Sequence, residues 1–291
     1  RTTKSIDSFR SSSSAMSDVP DARRRILELP QKRLALLALQ LQDELARERD
    51  ARHEPIAVVG MGCRYPGGVD SPDEYWRLLQ EGRDAIVEAP EDRWSIEELY
   101  DPDPDAPGRI ATRWGGFLDD VQRFDAAFFS ISPREARAMD PQQRLVLEVA
   151  WRAFEDAGIP PARYRDRLAG VFVGLCNNDY LTRLLKEGPH AIDAYLSSGS
   201  AYSVVSGRVS FTFGFRGPAL TCDTACSSSL VALHEAVRSL RSGESEMAVA
   251  AGVNVMCSPE TSMALSRARM MAPDGRCKTF DDAADGFVRA E

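Results

Sequence analysis

Three short, nearly uninterrupted apolar runs set the tightest limit on how this chain folds: 56–60 (Ile-Ala-Val-Val-Gly), 171–174 (Val-Phe-Val-Gly) and 247–256 (Met-Ala-Val-Ala-Ala-Gly-Val-Asn-Val-Met). A strand with one face in water alternates apolar and polar residues, whereas a strand covered on both faces does not. Between these runs the apolar residues recur at helical spacing, over 71–80, 141–157 and 227–242. Buried strands separated by helices predict a layered α/β architecture. The 291 residues can bury one substantial core or two smaller ones, and 43% hydrophobic with 27% charged residues is ordinary globular composition.

The chemistry concentrates at Asp223-Thr224-Ala225-Cys226-Ser227-Ser228-Ser229-Leu230. Residues 218–224 have the composition of a short strand, and Leu230, Leu233, Val237 and Leu240 mark one face of the following helix. Cys226 therefore stands at a strand-to-helix elbow, where the positive pole of the helix favours a thiolate. The three serines are expected to supply capping hydroxyls for the first free amides of the helix. The remaining cysteines 63, 176, 222, 257 and 277 show no Cys-x-x-Cys spacing, which argues against a zinc site or disulfide framework. Cys63, Cys176, Cys222 and Cys257 read as small buried hydrophobes.

Other motifs read as structure. Gly60 and Gly62 follow an apolar run, but Tyr65 stands where a dinucleotide-binding fingerprint needs its third glycine. Asp101, Asp103 and Asp105 alternate like calcium ligands, yet Ala106 and Thr112 occupy the positions that need glycine and glutamate. A solvated, proline-stiffened loop is the better reading. Arg163, Arg165 and Arg167 form a basic cluster that is either a solvated turn or a steering patch for an acidic partner. The net charge of −8 argues against generic nucleic-acid binding. No apolar run reaches membrane-span length and no signal-peptide pattern opens the sequence, so the default compartment is the cytoplasm.

Residues 1–20 are Ser-rich and read as a flexible linker. Residues 21–53 form a linker segment in which Leu34, Leu37, Leu41 and Leu45 stripe a helix over 31–50, with Pro30 in its first turn. About 20 residues alone make a marginal helix, so the stripe needs a partner. That partner is either its own domain, a second copy, or a docking element of another polypeptide.

The cysteine block resembles the active-site signature of β-ketoacyl synthases, the ketosynthase domains of modular polyketide synthases, and matches it at each position. The resemblance continues through residues 54–68, 113–118 (Arg-Trp-Gly-Gly-Phe-Leu), 124–129, 132–136, 139–144 (Met-Asp-Pro-Gln-Gln-Arg), 273–281 and 285–289, in the family's order. It implies a thiolase-like fold of two similar α/β halves in five layers, of which 54–291 reads as the first half. It implies Cys226 as the nucleophile that takes an acyl chain from an acyl carrier protein and condenses it with a malonyl-type extender. No cofactor is expected on the domain itself, and the phosphopantetheine arm of the carrier brings the substrates. A homodimer, with the strand before Cys226 near the twofold axis, and neighbouring synthase domains reached through the N-terminal helix are the expected partners. The family's two histidine motifs are not in this sequence. His53 and His190 lie outside any such motif, and His234 is eight residues past Cys226 on one helix, roughly 12 Å away at about 1.5 Å per residue. The alternative is a docking or scaffolding segment attached to an idle half-domain.

Overall fold

The computed structural model describes residues 29–291, with the side chains of 47–53 and of 191 left aside. The Ser-rich stretch 1–20 and residues 21–28 lie outside the described residues. By internal contacts the chain divides into two units, Arg1–Pro55 and Ile56–Glu291.

In the first unit, helix α1 (Gln31–His53) runs three residues beyond the expected end, and Pro30 flanks it as the capping residue in extended conformation. Its apolar surface is wider than a single stripe. Leu36 and Leu39, on the side opposite Leu34 and Leu41, are 61% and 58% exposed, and Leu41 and Leu45 are exposed as well.

The second unit opens with α2 (Pro72–Gln80), capped by Ser71, whose hydroxyl accepts from Glu74 N at 3.3 Å. Strands β1 (Ile86–Glu88) and β2 (Trp114–Gly116) pair antiparallel. There follow α3 (Pro141–Asp156), β3 (Ala169–Gly174), α4 (Asp179–Lys186), α5 (Tyr202–Phe213), β4 (Ala219–Cys222), α6 (Ser228–Arg241), β5 (Met247–Gly252) and α7 (Glu260–Arg267). The last three strands form a parallel sheet in the order β4-β3-β5, with Gly174 opposite both Cys222 and Gly252.

Strand β3 shows why its sequence lacks alternation. Val171 and Val173 pack against Val146, Leu147, Ala150 and Phe154 of α3 and Val205, Val209 and Phe213 of α5. Phe172, pointing the other way, meets Ala232 and Ala236 of α6. Helices thus cover both faces, and each fully buried side chain contributes roughly 1.5–3 kcal/mol.

One of the three apolar runs behaves differently from expectation. Residues 56–60 form no strand, and Val58 and Val59 are 76% and 60% exposed. No neighbouring strand among the described residues offers the segment a ladder, so it lies instead along α3. A Cβ on Gly60 would fall 2.2 Å from the Ala153 carbonyl oxygen, and one on Gly62 would fall 2.6 Å from that of Val149. Met61 N donates to Asp156 Oδ2 at 2.8 Å. These glycines are needed for close approach to a helix, which accounts for them without a nucleotide. The run at 247–256 ends as a strand at Gly252; its side chains are half-buried or exposed, with Met247, Val249 and Ala251 packed against the core under α3 and α5 and Ala248 against the α6 cluster.

Candidate active site

The parallel strands all point their C-terminal ends to one edge of the sheet, and that edge carries the cysteine. After Cys222 the backbone leaves β4, and Ala225 turns left-handed with φ +55°. A short 3-10 turn, Ala225–Ser227, then leads into α6. Cys226 lies in that turn with its side chain exposed. A non-glycine residue at positive φ costs of order 1–3 kcal/mol and persists only where surrounding bonds impose it.

Those bonds come from side chains on either side of the cysteine. Asp223 Oδ1 accepts from Ala225 N at 3.0 Å. The buried Ser228 hydroxyl accepts from Thr224 N at 2.9 Å and donates to Ala225 O at 2.6 Å. Ser227 Oγ donates to Thr224 O at 2.8 Å and lies 2.9 Å from Thr224 Oγ1. The serines were expected to cap the helix amides. Ser227 and Ser228 reach backwards instead, and α6 has no side-chain cap. Their bonds hold the elbow.

The sheet below is cut to fit it. A Cβ on Gly174 would lie 2.4 Å from the Ser228 carbonyl carbon, and one on Gly252 would lie 2.6 Å from Ser229 Cβ. Leu175 N donates to Cys222 O at 3.1 Å, and Cys222 Sγ donates to Ser228 O at 3.4 Å. Cys222 is half-buried, and burial pushes its thiol up.

Around the elbow lies a polar cluster that sequence reasoning missed. Cys176, expected to be buried, is exposed just beyond β3. Its thiol is pushed up by desolvation first and then by the charges of Asp223 and Cys226. Tyr202, at the start of α5, is raised by burial and then by Asp223 and Cys176. Deeper in, Gln142 bridges the buried chain. It donates to Asp140 Oδ2 at 3.2 Å and to Asn177 Oδ1 at 3.2 Å, and accepts from Val255 N at 3.3 Å. Burial raises the Asp140 carboxyl to about 6. Cys176 and Asp223 stand one or two places past a strand's C-terminal end, and Asp140 and Gln142 lie in the motif at 139–144; Tyr202 left no such sign.

The other candidates fall elsewhere. His234 is exposed on α6, and His190 sits in the short turn Pro189–Ala191. The side chain of His53 lies outside the described ones. Arg163 and Arg165 precede β3 at the N-terminal edge of the sheet, opposite to Cys226, and Arg167 there pairs with Glu246. Asp101, Asp103 and Asp105 form successive turns in which Oδ1 of Asp101 and Asp103 each accepts a backbone N–H two residues on. Asp105 pairs with Arg267 and Arg269.

Comparison with known proteins gives one answer throughout. The family described as "Beta-ketoacyl synthase, N-terminal domain" matches residues 53–291. Pikromycin polyketide synthase component PikAII of Streptomyces venezuelae is 57% identical over 247 residues, 84% of this chain and 7% of that protein. A phenolphthiocerol/phthiocerol polyketide synthase of Mycobacterium tuberculosis is 53% identical over 252 residues, 86% of this chain and 16% of its own length. Among solved structures, the oxazolomycin ketosynthase domain OzmH KS7 of Streptomyces albus JA3453 superimposes with a TM-score of 0.77 at 44% identity, covering 82% of this chain and 42% of that one. The ketosynthase from module 6 of the bacillaene synthase of Bacillus subtilis 168 gives 0.71 at 38%, covering 81% and 38%. The chain thus spans less than half the length of these relatives.

Proposed function

The chain belongs to the β-ketoacyl synthase family, and we propose that it carries the acyl-accepting part of a polyketide-elongating ketosynthase, with Cys226 as the nucleophile. The observation that supports this best is the exposed thiol at a braced, left-handed elbow on the C-terminal edge of a parallel sheet. The Cys226 thiolate attacks the carbonyl carbon of an acyl thioester presented on a phosphopantetheine arm. A new C–S bond forms, the carrier thiolate leaves and takes up a proton, and the acyl chain rests on Cys226. The tetrahedral oxyanion needs a donor, a role suited to the Cys226 backbone N–H in the first turn before α6. A malonyl-type extender on a second carrier then loses CO₂, and its enolate carbon attacks the Cys226 acyl carbonyl; a C–C bond forms, the C–S bond to Cys226 breaks and the Cys226 thiolate is released. The product is a β-ketoacyl chain two backbone carbons longer.

The partners proposed are an acyl carrier protein, a second copy of the chain and neighbouring synthase domains. For the second copy, β4 is the outer strand of its sheet, with Ala219 exposed and Leu220 43% exposed. For neighbouring domains, the exposed leucines of α1 offer an apolar helix surface. The idle-scaffold alternative draws on α1 and on the histidine motifs not found in this sequence, whereas the relatives are synthases matched across the elbow itself.

The test is acyl loading measured by intact mass, with an acyl N-acetylcysteamine thioester as donor. Wild type and Cys222→Ala gain one acyl group and Cys226→Ala gains none. Equal loading of wild type and Cys226→Ala would sink the assignment.

A further inference from the structure

The elbow has a feature that a nucleophile alone does not require. Its strained residue is Ala225, directly before the cysteine, and both backbone groups of Ala225 are held by side chains. The N–H is held by Asp223 Oδ1 at 3.0 Å and the carbonyl by Ser228 Oγ at 2.6 Å. Ser228 also accepts from Thr224 N, so one hydroxyl ties the 223–224 peptide to the 225–226 peptide that precedes Cys226. It is 5% exposed, which keeps water from competing for these bonds. Asp223, by contrast, is exposed and forms no ion pair among the described residues, so its carboxylate acts here as an acceptor, not as a charge partner.

From this geometry we infer that Asp223 and Ser228 are positioning residues, a two-sided brace that keeps Ala225 left-handed and thereby aims the Cys226 thiol and N–H at the incoming thioester. This rests on Cys226 being the acyl acceptor. The brace costs nothing when the acyl group arrives, because the unfavourable φ is already imposed in the resting protein. Without either arm, Ala225 relaxes to negative φ and the cysteine swings away from its donor geometry. A shift of about 1 Å at a reacting centre is enough to cost roughly 10²-fold in rate.

The experiment compares acyl loading rates from an acyl N-acetylcysteamine thioester in the full-length protein for wild type, Cys226→Ala, Asp223→Ala, Asp223→Asn and Ser228→Ala. Thermal unfolding is recorded for each. Asp223→Ala and Ser228→Ala are expected to slow loading by about tenfold or more. Asp223→Asn, which keeps the Oδ1 acceptor without the charge, is expected to stay within about threefold of wild type. A merely structural role would move Tm without separating Asn from Ala at position 223. Equal slowing by Asp223→Asn and Asp223→Ala, or wild-type loading by Ser228→Ala, overturns the brace while Cys226 stands. Failure of wild type to load removes the acceptor reading, and the brace falls with it.

Discussion

Among single residues, Asp140 gives the clearest pH signature. It caps α3 by accepting from Gln142 N at 2.8 Å, yet it is 5% exposed, and burial lifts its carboxyl to about 6 against an ordinary 3.8. The native state therefore keeps this proton after the unfolded state has released it. As pH rises from about 4 to about 6, the unfolded state gains from ionising first, so the contribution of Asp140 to stability falls through that window and stays low above it. About two units of separation corresponds to roughly 2–3 kcal/mol. The stability of wild type relative to Asp140→Asn, measured by urea unfolding, is expected to decline by that order between pH 4 and pH 7. A difference that stays flat across this range would contradict the buried, proton-retaining carboxyl. Cys226 and its elbow were legible at this scale from one strand-like run, one cysteine and one helical stripe. The direction of the serine hydroxyls was not. Composition places a hydroxyl near a helix start, but only the turn at Ala225 decides whether it bonds forwards or backwards.

Among elements, the contact that positions the site is the C-terminal edge of β3 under the start of α6. Gly174 is there because a methyl group would overlap the Ser228 backbone. Gly174→Ala is expected to cost about 1–3 kcal/mol by overpacking and to depress acyl loading more than it depresses stability. Unchanged loading would show that α6 does not need this platform. β3 was readable because burial on both faces leaves a direct trace in sequence; α6 was readable as a helix, but not its buried face, which is Ser228, Ala232, Ala236 and Ser239 while Leu230 and Leu233 of the expected stripe are exposed. Residues 56–60 were misread because an apolar run records what a segment can bury, not which strand it pairs with. α5 escaped notice for another reason. Its apolar residues are interleaved with Ser203, Ser206, Gly207 and Ser210, so no clean stripe forms, although Val205, Val209 and Phe213 still reach the core.

For the whole molecule, the α/β layering was evident from the spacing of runs and helices, and the thiolase-like class from the ordered motifs. Sequence did not give the width of the apolar surface of α1 or the open edge of β4. If a second copy covers that edge, burying Leu220, then Leu220→Lys is expected to convert a dimer into a monomer in sedimentation velocity. A dimer that persists unchanged would place the interface elsewhere.

If the acyl group arrives on Cys226, that sulfur and no other should carry it after loading. After loading, trypsin should release residues 217–238, which hold Cys222 and Cys226, and residues 168–183, which hold Cys176. Fragmentation of the first peptide is predicted to place a single acyl group on Cys226 with Cys222 and Cys176 unmodified. An acyl group on Cys222 or Cys176, with Cys226 free, would show that Cys226 is not the acyl acceptor.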